Sequence, residues 1–118
     1  ELMPDPEVAK PLLLPLLTIS NKEFKAKYGH VSGAWRGKKP IQRNAILALA
    51  HFKEEAATQT LIEVMKKDER PEIRGTAAWA VGKIGGEGVK EALLAQKERE
   101  TNEEVLEEIE KGLAFLEV

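Results

Sequence analysis

The stretch from Pro71 to Gly86, PEIRGTAAWAVGKIGG, sets Ile73, Ala77, Ala80, Val81 and Ile84 on one stripe of a 3.6-residue helix. Pro71 suits the first turn, where a missing N–H costs nothing, and Gly85-Gly86 suits the exit, where a left-handed residue is wanted. Moving the frame back by 32 residues puts Ile41, Ala45, Ala48, Leu49 and Phe52 on the same stripe, and moving it forward by 32 puts Val105, Ile109, Gly112, Leu113 and Leu116 there. The segments between keep the offset. Ala57, Leu61 and Ile62 become Val89, Leu93 and Leu94, with breaks where Met65 becomes Lys97 and Thr58 becomes Lys90. Helices this short cannot bury an apolar face alone, so stacked neighbours must supply the core. The expected fold is all-α, an α-solenoid of antiparallel helix pairs with a period of 32 residues and an N-terminal helical cap. An ordinary helical bundle with coincidental spacing is the alternative.

At 118 residues the chain is long enough for one modest core. Only 5% of its residues are aromatic, which argues against a deep ligand pocket. It has no apolar run of membrane-spanning length, and ELMPDPEVAKP lacks a basic region followed by an apolar core, so a cytoplasmic protein without a signal peptide is expected. Zero cysteines remove disulfides, thiolate nucleophiles, iron–sulfur ligation and the usual structural zinc sites. The formal charge of −2 hides a division. Lys22 to Arg43 carries Lys22, Lys25, Lys27, Arg36, Lys38, Lys39 and Arg43 against Glu23, a net +6, whereas Glu87 to Val118 sets ten glutamates against Lys90, Lys97, Arg99 and Lys111, a net −6. A strong dipole along the molecule follows.

Residues 1–39 read as a lead-in, capping helices and a basic loop, and 40–118 as the repeats, the whole forming one domain. Prolines at 4, 6, 11 and 15 forbid one long helix there, yet Leu12, Leu13, Leu14, Leu16 and Leu17 need burial, so an extended segment should lead into a short capping helix. A loop-like opening that carries a leucine cluster suggests a piece of something longer. Ser20-Asn21-Lys22-Glu23 matches a capping box for a helix over Asn21 to Tyr28, with Gly29 as its stop. HVSGAWRGKK, from His30 to Lys39, has neither helical nor strand period and reads as a basic loop, with a solvated linker around a buried Trp35 as the bland alternative. A helix opens at Pro40, and the next one ends near Lys67. Asp68 either caps the Pro71 helix or belongs to a loop over Asp68 to Arg70. The remaining helices are expected over about Gly88 to Arg99 and, from a second capping box at Thr101-Asn102-Glu103-Glu104, to near Leu116.

Catalytic candidates are thin. His30 and His51 lie far apart in sequence, no Ser-His-Asp arrangement is suggested, and Gly82 with Gly85-Gly86 lacks the preceding strand and following Gly-Lys-Thr of a phosphate loop. Glu103, Glu104, Glu107 and Glu108 lack the shaped loop a cation needs, so no metal is expected. The basic junction is different, because Arg36, Lys38 and Lys39 lead into a helix start bearing Arg43 and Asn44. Cations beside free helix amides form a polyanion site, and without base-reading motifs the recognition is of backbone or shape, as structured RNA offers. Arg74 follows the same surface logic and extends a ridge with Arg43; an intramolecular salt bridge across the repeat is its equal alternative.

WRGKK followed by IQRNAILALA resembles the basic loop and first repeat helix of bacterial tRNA epoxyqueuosine reductases. IRGTAAWAVG, from Ile73 to Gly82, matches the family's branched residue, Arg-Gly, variable position, Ala-Ala-Trp-Ala, apolar residue and Gly. PDPEVAKPLLLPLL and the Ser20 to Tyr28 segment resemble the link after that family's ferredoxin part, so the resemblance covers nearly the whole chain. It departs at Leu49-Ala50-His51, where the family has Leu-Gly-Asn, and in a basic loop with Trp35 and fewer arginines. The resemblance implies the C-terminal HEAT-like module of an enzyme that reduces epoxyqueuosine to queuosine at the tRNA wobble position. It also implies cobalamin and two 4Fe–4S clusters held by other domains of the parent, none in this chain. Its implied partners are tRNA near the anticodon stem and the catalytic domains of the same parent, with a monomeric module that has no activity of its own. A protein-binding scaffold, with the acidic last helices as docking face, is the competing class.

Overall fold

The computed structural model describes residues 13–30 and 37–117, and every regular element among them is helical. After a 3-10 turn at Leu14–Thr18 come α1 (Asn21–Tyr28), α2 (Lys38–His51), α3 (Thr58–Lys67), α4 (Pro71–Ile84), α5 (Val89–Arg99) and α6 (Glu103–Leu116), with a second 3-10 turn, Glu55–Ala57, between α2 and α3. The lead-in before Leu13 and most of the basic loop, including Trp35 and Arg36, lie outside the described residues.

Helix α4 is the centre of the array. It packs against α2, α3, α5 and α6, while α3 also meets α5 and α5 meets α6. The repeat-opening helices α2, α4 and α6 thus form one layer, and α3 and α5 a second. Extents of 42 × 31 × 20 Å suit two layers of helices each about 10 Å across. All five stripe residues of α4 are buried, and so are Gly75, Ala78 and Gly82 on its other sides, as neighbours on several faces require. In the second layer, Ala57 and Leu61 of the first pair and Val89 and Leu93 of the second share the buried role that the 32-residue offset assigns them.

The offset fails locally in α2 and α5, and in α6 the stripe residues Leu113 and Leu116 are only half-buried. Of the stripe assigned to α2, Ile41, Ala48 and the C-cap Phe52 are only half-buried, whereas the buried residues of the helix are Gln42, Ala45, Ile46, Leu49 and Ala50. A frame of 31 residues carries Ile73, Thr76, Ala77, Ala80 and Val81 onto these five positions. The rotation follows from the leucine turn packed beside α2: Leu16 and Leu17 are buried there, and the Gln42 side-chain amide donates to the Leu16 carbonyl at 2.9 Å. In α5, Leu94 is 43% exposed although its counterpart Ile62 is buried, because among the described residues α5 closes its layer on that side.

Termini follow local chemistry, with four adjustments. Helix α2 starts at Lys38 rather than Pro40, capped by Gly37 at φ 89°, and Pro40 sits in the first turn, where no amide has an intrahelical partner. The Ser20–Glu23 box forms as expected, but Gly29 stays right-handed at φ −58°. Asp68 makes a turn with Arg70 instead of capping α4, accepting from the Arg70 amide at 2.9 Å. At α6 the cap is Asn102, whose Oδ1 accepts from Glu104 and Val105 amides at 2.9 and 3.1 Å, and Thr101 lies one residue outside.

Candidate nucleic-acid interface

The start of α2 gathers the predicted cations that the structure describes, apart from Arg74 on α4. No side chain caps this helix, so its first amides are left for solvent or a ligand. Lys38 turns inward, its Nζ donating to the Ile19 carbonyl at 2.9 Å, which fastens α2 to the leucine turn. Lys39 is 45% exposed and paired with Glu72, the second residue of α4; that hydrogen bond holds the Glu72 carboxyl below its ordinary range. Arg43 and Asn44 are exposed one turn on, and neither makes a side-chain hydrogen bond or ion pair among the described residues. Arg43 therefore leaves its guanidinium donors open to solvent, while its charge adds to the Lys39 hydrogen bond in lowering the Glu72 pKa. Lys39 offers its ammonium only in exchange for Glu72.

Arg74 is held differently. Its Nε and Nη2 donate to the two carboxylate oxygens of Glu100 at 3.1 and 2.9 Å, and Nη1 donates to the Asp68 and Glu69 carbonyls. Side-chain exposure is 17% for Arg74 and 3% for Glu100, and Glu100 also accepts from the Asn102 amide and Gln96 Nε2. The Arg74 guanidinium outweighs burial and draws the Glu100 carboxyl down to about 2. This geometry fits the salt-bridge alternative, since Nε, Nη1 and Nη2 of Arg74 are all engaged within the chain.

Sequence reasoning missed a neighbouring tie. Gln42, buried in α2, accepts from Arg70 Nη2 at 2.8 Å through Oε1 while its amide nitrogen holds the Leu16 carbonyl. Arg70 in turn makes a two-point pair with Asp68, so the lead-in, α2 and the α3–α4 turn are linked. Gln42 falling on the same side of the helix as Ala45, Ile46 and Leu49 was the available signal. Burial opposes ionisation of Asp68, but its bonds from Arg70 prevail and lower its pKa.

The face formed by α2, α4 and α6 carries an open groove of about 570 Å³. Arg43 and Leu47 line it from α2; Pro71, Glu72, Gly75, Thr76 and Trp79 from α4; Glu104, Glu107, Glu108 and Lys111 from α6. The two charge blocks of the sequence thus face each other across α4.

Stacked helix pairs of this period define the chain as a HEAT-repeat protein, and residues 36–114 match the HEAT repeats family, to which the chain belongs. It is similar to the epoxyqueuosine reductases of Bacillus cereus and Bacillus subtilis, at 67% and 66% identity over 98% of its own length and 30% of theirs. Among solved structures it resembles epoxyqueuosine reductase crystallised with an epoxyqueuosine-modified tRNA-Tyr stem loop, with a TM-score of 0.89 and 65% identity, covering 98% of this chain and 31% of that one. The Streptococcus thermophilus epoxyqueuosine reductase is similar at a TM-score of 0.76 and 36% identity, over 92% of this chain and 30% of that one. The chain therefore spans about 30% of the length of these relatives.

Proposed function

We propose that this chain is the tRNA-holding helical module of an epoxyqueuosine reductase, gripping the anticodon stem through phosphates at the start of α2. The observation that carries this reading is its near-complete likeness to one part of an enzyme crystallised with a tRNA stem loop. The local chemistry supports it. Arg43 is exposed and unpaired among the described residues, Lys39 is exchangeable, Asn44 is exposed, and uncapped amides lie beside them. Arg36 belongs to the same set by sequence, and Lys38 contributes its charge from the site's inner edge. Arg74 is left out of the contact set, because Glu100 and two carbonyls occupy it. Residues 1–39 as lead-in and 40–118 as repeats remain the division we favour, with the first repeat helix opening two residues earlier, at Lys38.

On this reading the longer protein reduces epoxyqueuosine to queuosine in the cytoplasm, and the module is monomeric and binds without reacting. Cobalamin and the two 4Fe–4S clusters belong to the other domains, since a chain without cysteine has no thiolate for a cluster. Among the described residues no three His, Asp or Glu side chains are grouped to hold a metal ion.

Fluorescence anisotropy with a labelled anticodon stem loop, repeated over a range of salt concentrations, tests the proposal. Lys39→Glu with Arg43→Glu should weaken binding and flatten log K against log salt by roughly 0.7 to 0.9 per lost contact. Because phosphate contacts position without specifying sequence, cognate and non-cognate stems should lose alike. Lys66→Glu with Lys90→Glu, exposed cations of the second layer, should leave the slope unchanged. Binding by a folded Lys39/Arg43 variant at wild-type strength overturns the reading.

A further inference from the structure

The groove between α2, α4 and α6 has a lining that the α2 cations, of which Arg43 alone reaches it, do not account for. Its apolar floor is Leu47, Pro71 and the half-buried Trp79, and Gly75 keeps that floor low, because a Cβ there would stand 3.2 Å from Glu108 Cγ. Trp79 is braced by an edge-on contact with Phe115 at 5.9 Å and by Lys83 Nζ 5.8 Å from its ring centre. The α6 wall presents Glu104, Glu107 and Glu108. Glu108 is paired with Lys111 at 3.0 Å, whereas Glu104 and Glu107 are exposed and make no side-chain ion pair among the described residues. Four carboxylates against Arg43 and Lys111 leave the groove net negative, so a phosphate backbone is repelled from it. An apolar floor beneath a negative wall complements a side chain with an apolar stem and a cationic head.

We propose that this groove is a docking site for an extended protein segment bearing arginine or lysine, whose aliphatic stems lie on Leu47 and Trp79 and whose charged heads reach Glu104 and Glu107. Arginine suits it better than lysine, since a planar guanidinium serves both carboxylate pairing and an aromatic floor. The site adjoins the cations at the start of α2, meeting them at Arg43, and polyanion and polycation are sorted to opposite rims of one face.

Trp79 is the reporter. The sequence has two tryptophans, so Trp35→Phe leaves Trp79 alone in the 118-residue chain. The probe is a peptide alternating arginine and leucine, titrated while Trp79 emission is followed, with equal peptide lacking arginine as blank. The expected result is a saturable change in Trp79 emission that weakens at least tenfold in Glu104→Gln/Glu107→Gln. The same charge change on α5, Glu91→Gln/Glu98→Gln, should leave the affinity within twofold, which separates docking from attraction to net charge. Equal losses in the two double variants, with helicity unchanged, overturn the proposal. So does an anticodon stem loop that displaces the peptide from Trp79 in the Lys39→Glu/Arg43→Glu background, because the groove would then be an RNA site whose occupant does not depend on the α2 cations.

Discussion

Glu100 sits between α5 and α6 with an arginine, a glutamine and a backbone amide all donating to it, so its charge is part of the fold. Its folded pKa of about 2 lies below the ordinary 4.5, so its contribution is present above about pH 4.5 and is lost as pH falls toward 2. That shift corresponds to about 3 kcal/mol at most, and partial exposure of Arg74 brings the expected value nearer 2 kcal/mol. Glu100→Gln should therefore cost about 2 kcal/mol in urea titrations at neutral pH, with the gap to wild type closing near pH 2. A gap that stayed constant across that range would mean the pair is not what stabilises the corner. Arg74 also shows what was legible at this scale. Sequence position put it on the same stripe logic as Arg43, and a carboxylate 26 residues away decided its role. The Thr101 box misled by one residue for a related reason, since Asn102 is as good an N-cap as Thr101 without the box and only the chain path chooses between them.

Between elements, the closest approach is that of α4 to α6. A Cβ on Gly82 would fall 2.3 Å from Gly112 Cα, and one on Gly112 would fall 2.7 Å from the Ala78 carbonyl oxygen. Backbone faces backbone there, so no side chain can swing aside. Gly82→Ala raises intrinsic helix propensity by about 1 kcal/mol, and overpacking should exceed that gain, leaving a net loss of about 2 kcal/mol. A denaturant midpoint equal to or above wild type would show that the two helices can separate freely. The AAWAVG run marked this face as one of small residues, and the 32-residue offset already paired Ala80 with Gly112. The rotation of α2 by one residue was hidden, because it depends on a glutamine bonded to the leucine turn rather than on apolar period. The groove was hidden as well: Arg43 and Glu104 belong to distant segments, and only the stacking of three helices sets them on one face.

Across the whole molecule, stability should grade from the centre of the array to its basic end. Helix α4 is covered by four other helices, so its amides can exchange only when the array opens as a unit. Helix α1 has eight residues, too few to persist in isolation, and among its side chains Phe24 alone is buried, with Tyr28 tilted against it at 5.4 Å. Opening α1 therefore exposes little apolar area and should cost far less than global unfolding. Hydrogen exchange followed by mass spectrometry should find α4 slowest and α1 fastest among the six helices. Phe24→Ala should speed α1 further while leaving α4 close to wild type, since losing α1's anchor shifts a local equilibrium. If α1 and α4 exchange at one rate, and Phe24→Ala accelerates both equally, the array and its basic end unfold as a single unit. The gradient bears on binding because Lys22, Lys25 and Lys27 ride on α1, beside an α2 start that Lys38 ties to Ile19. A loosely held cationic helix can settle against a polyanion at small conformational cost, while α4 keeps Arg43 and the groove in fixed relation. Protection of α1 on adding the stem loop, with α4 unchanged, is the outcome this arrangement requires.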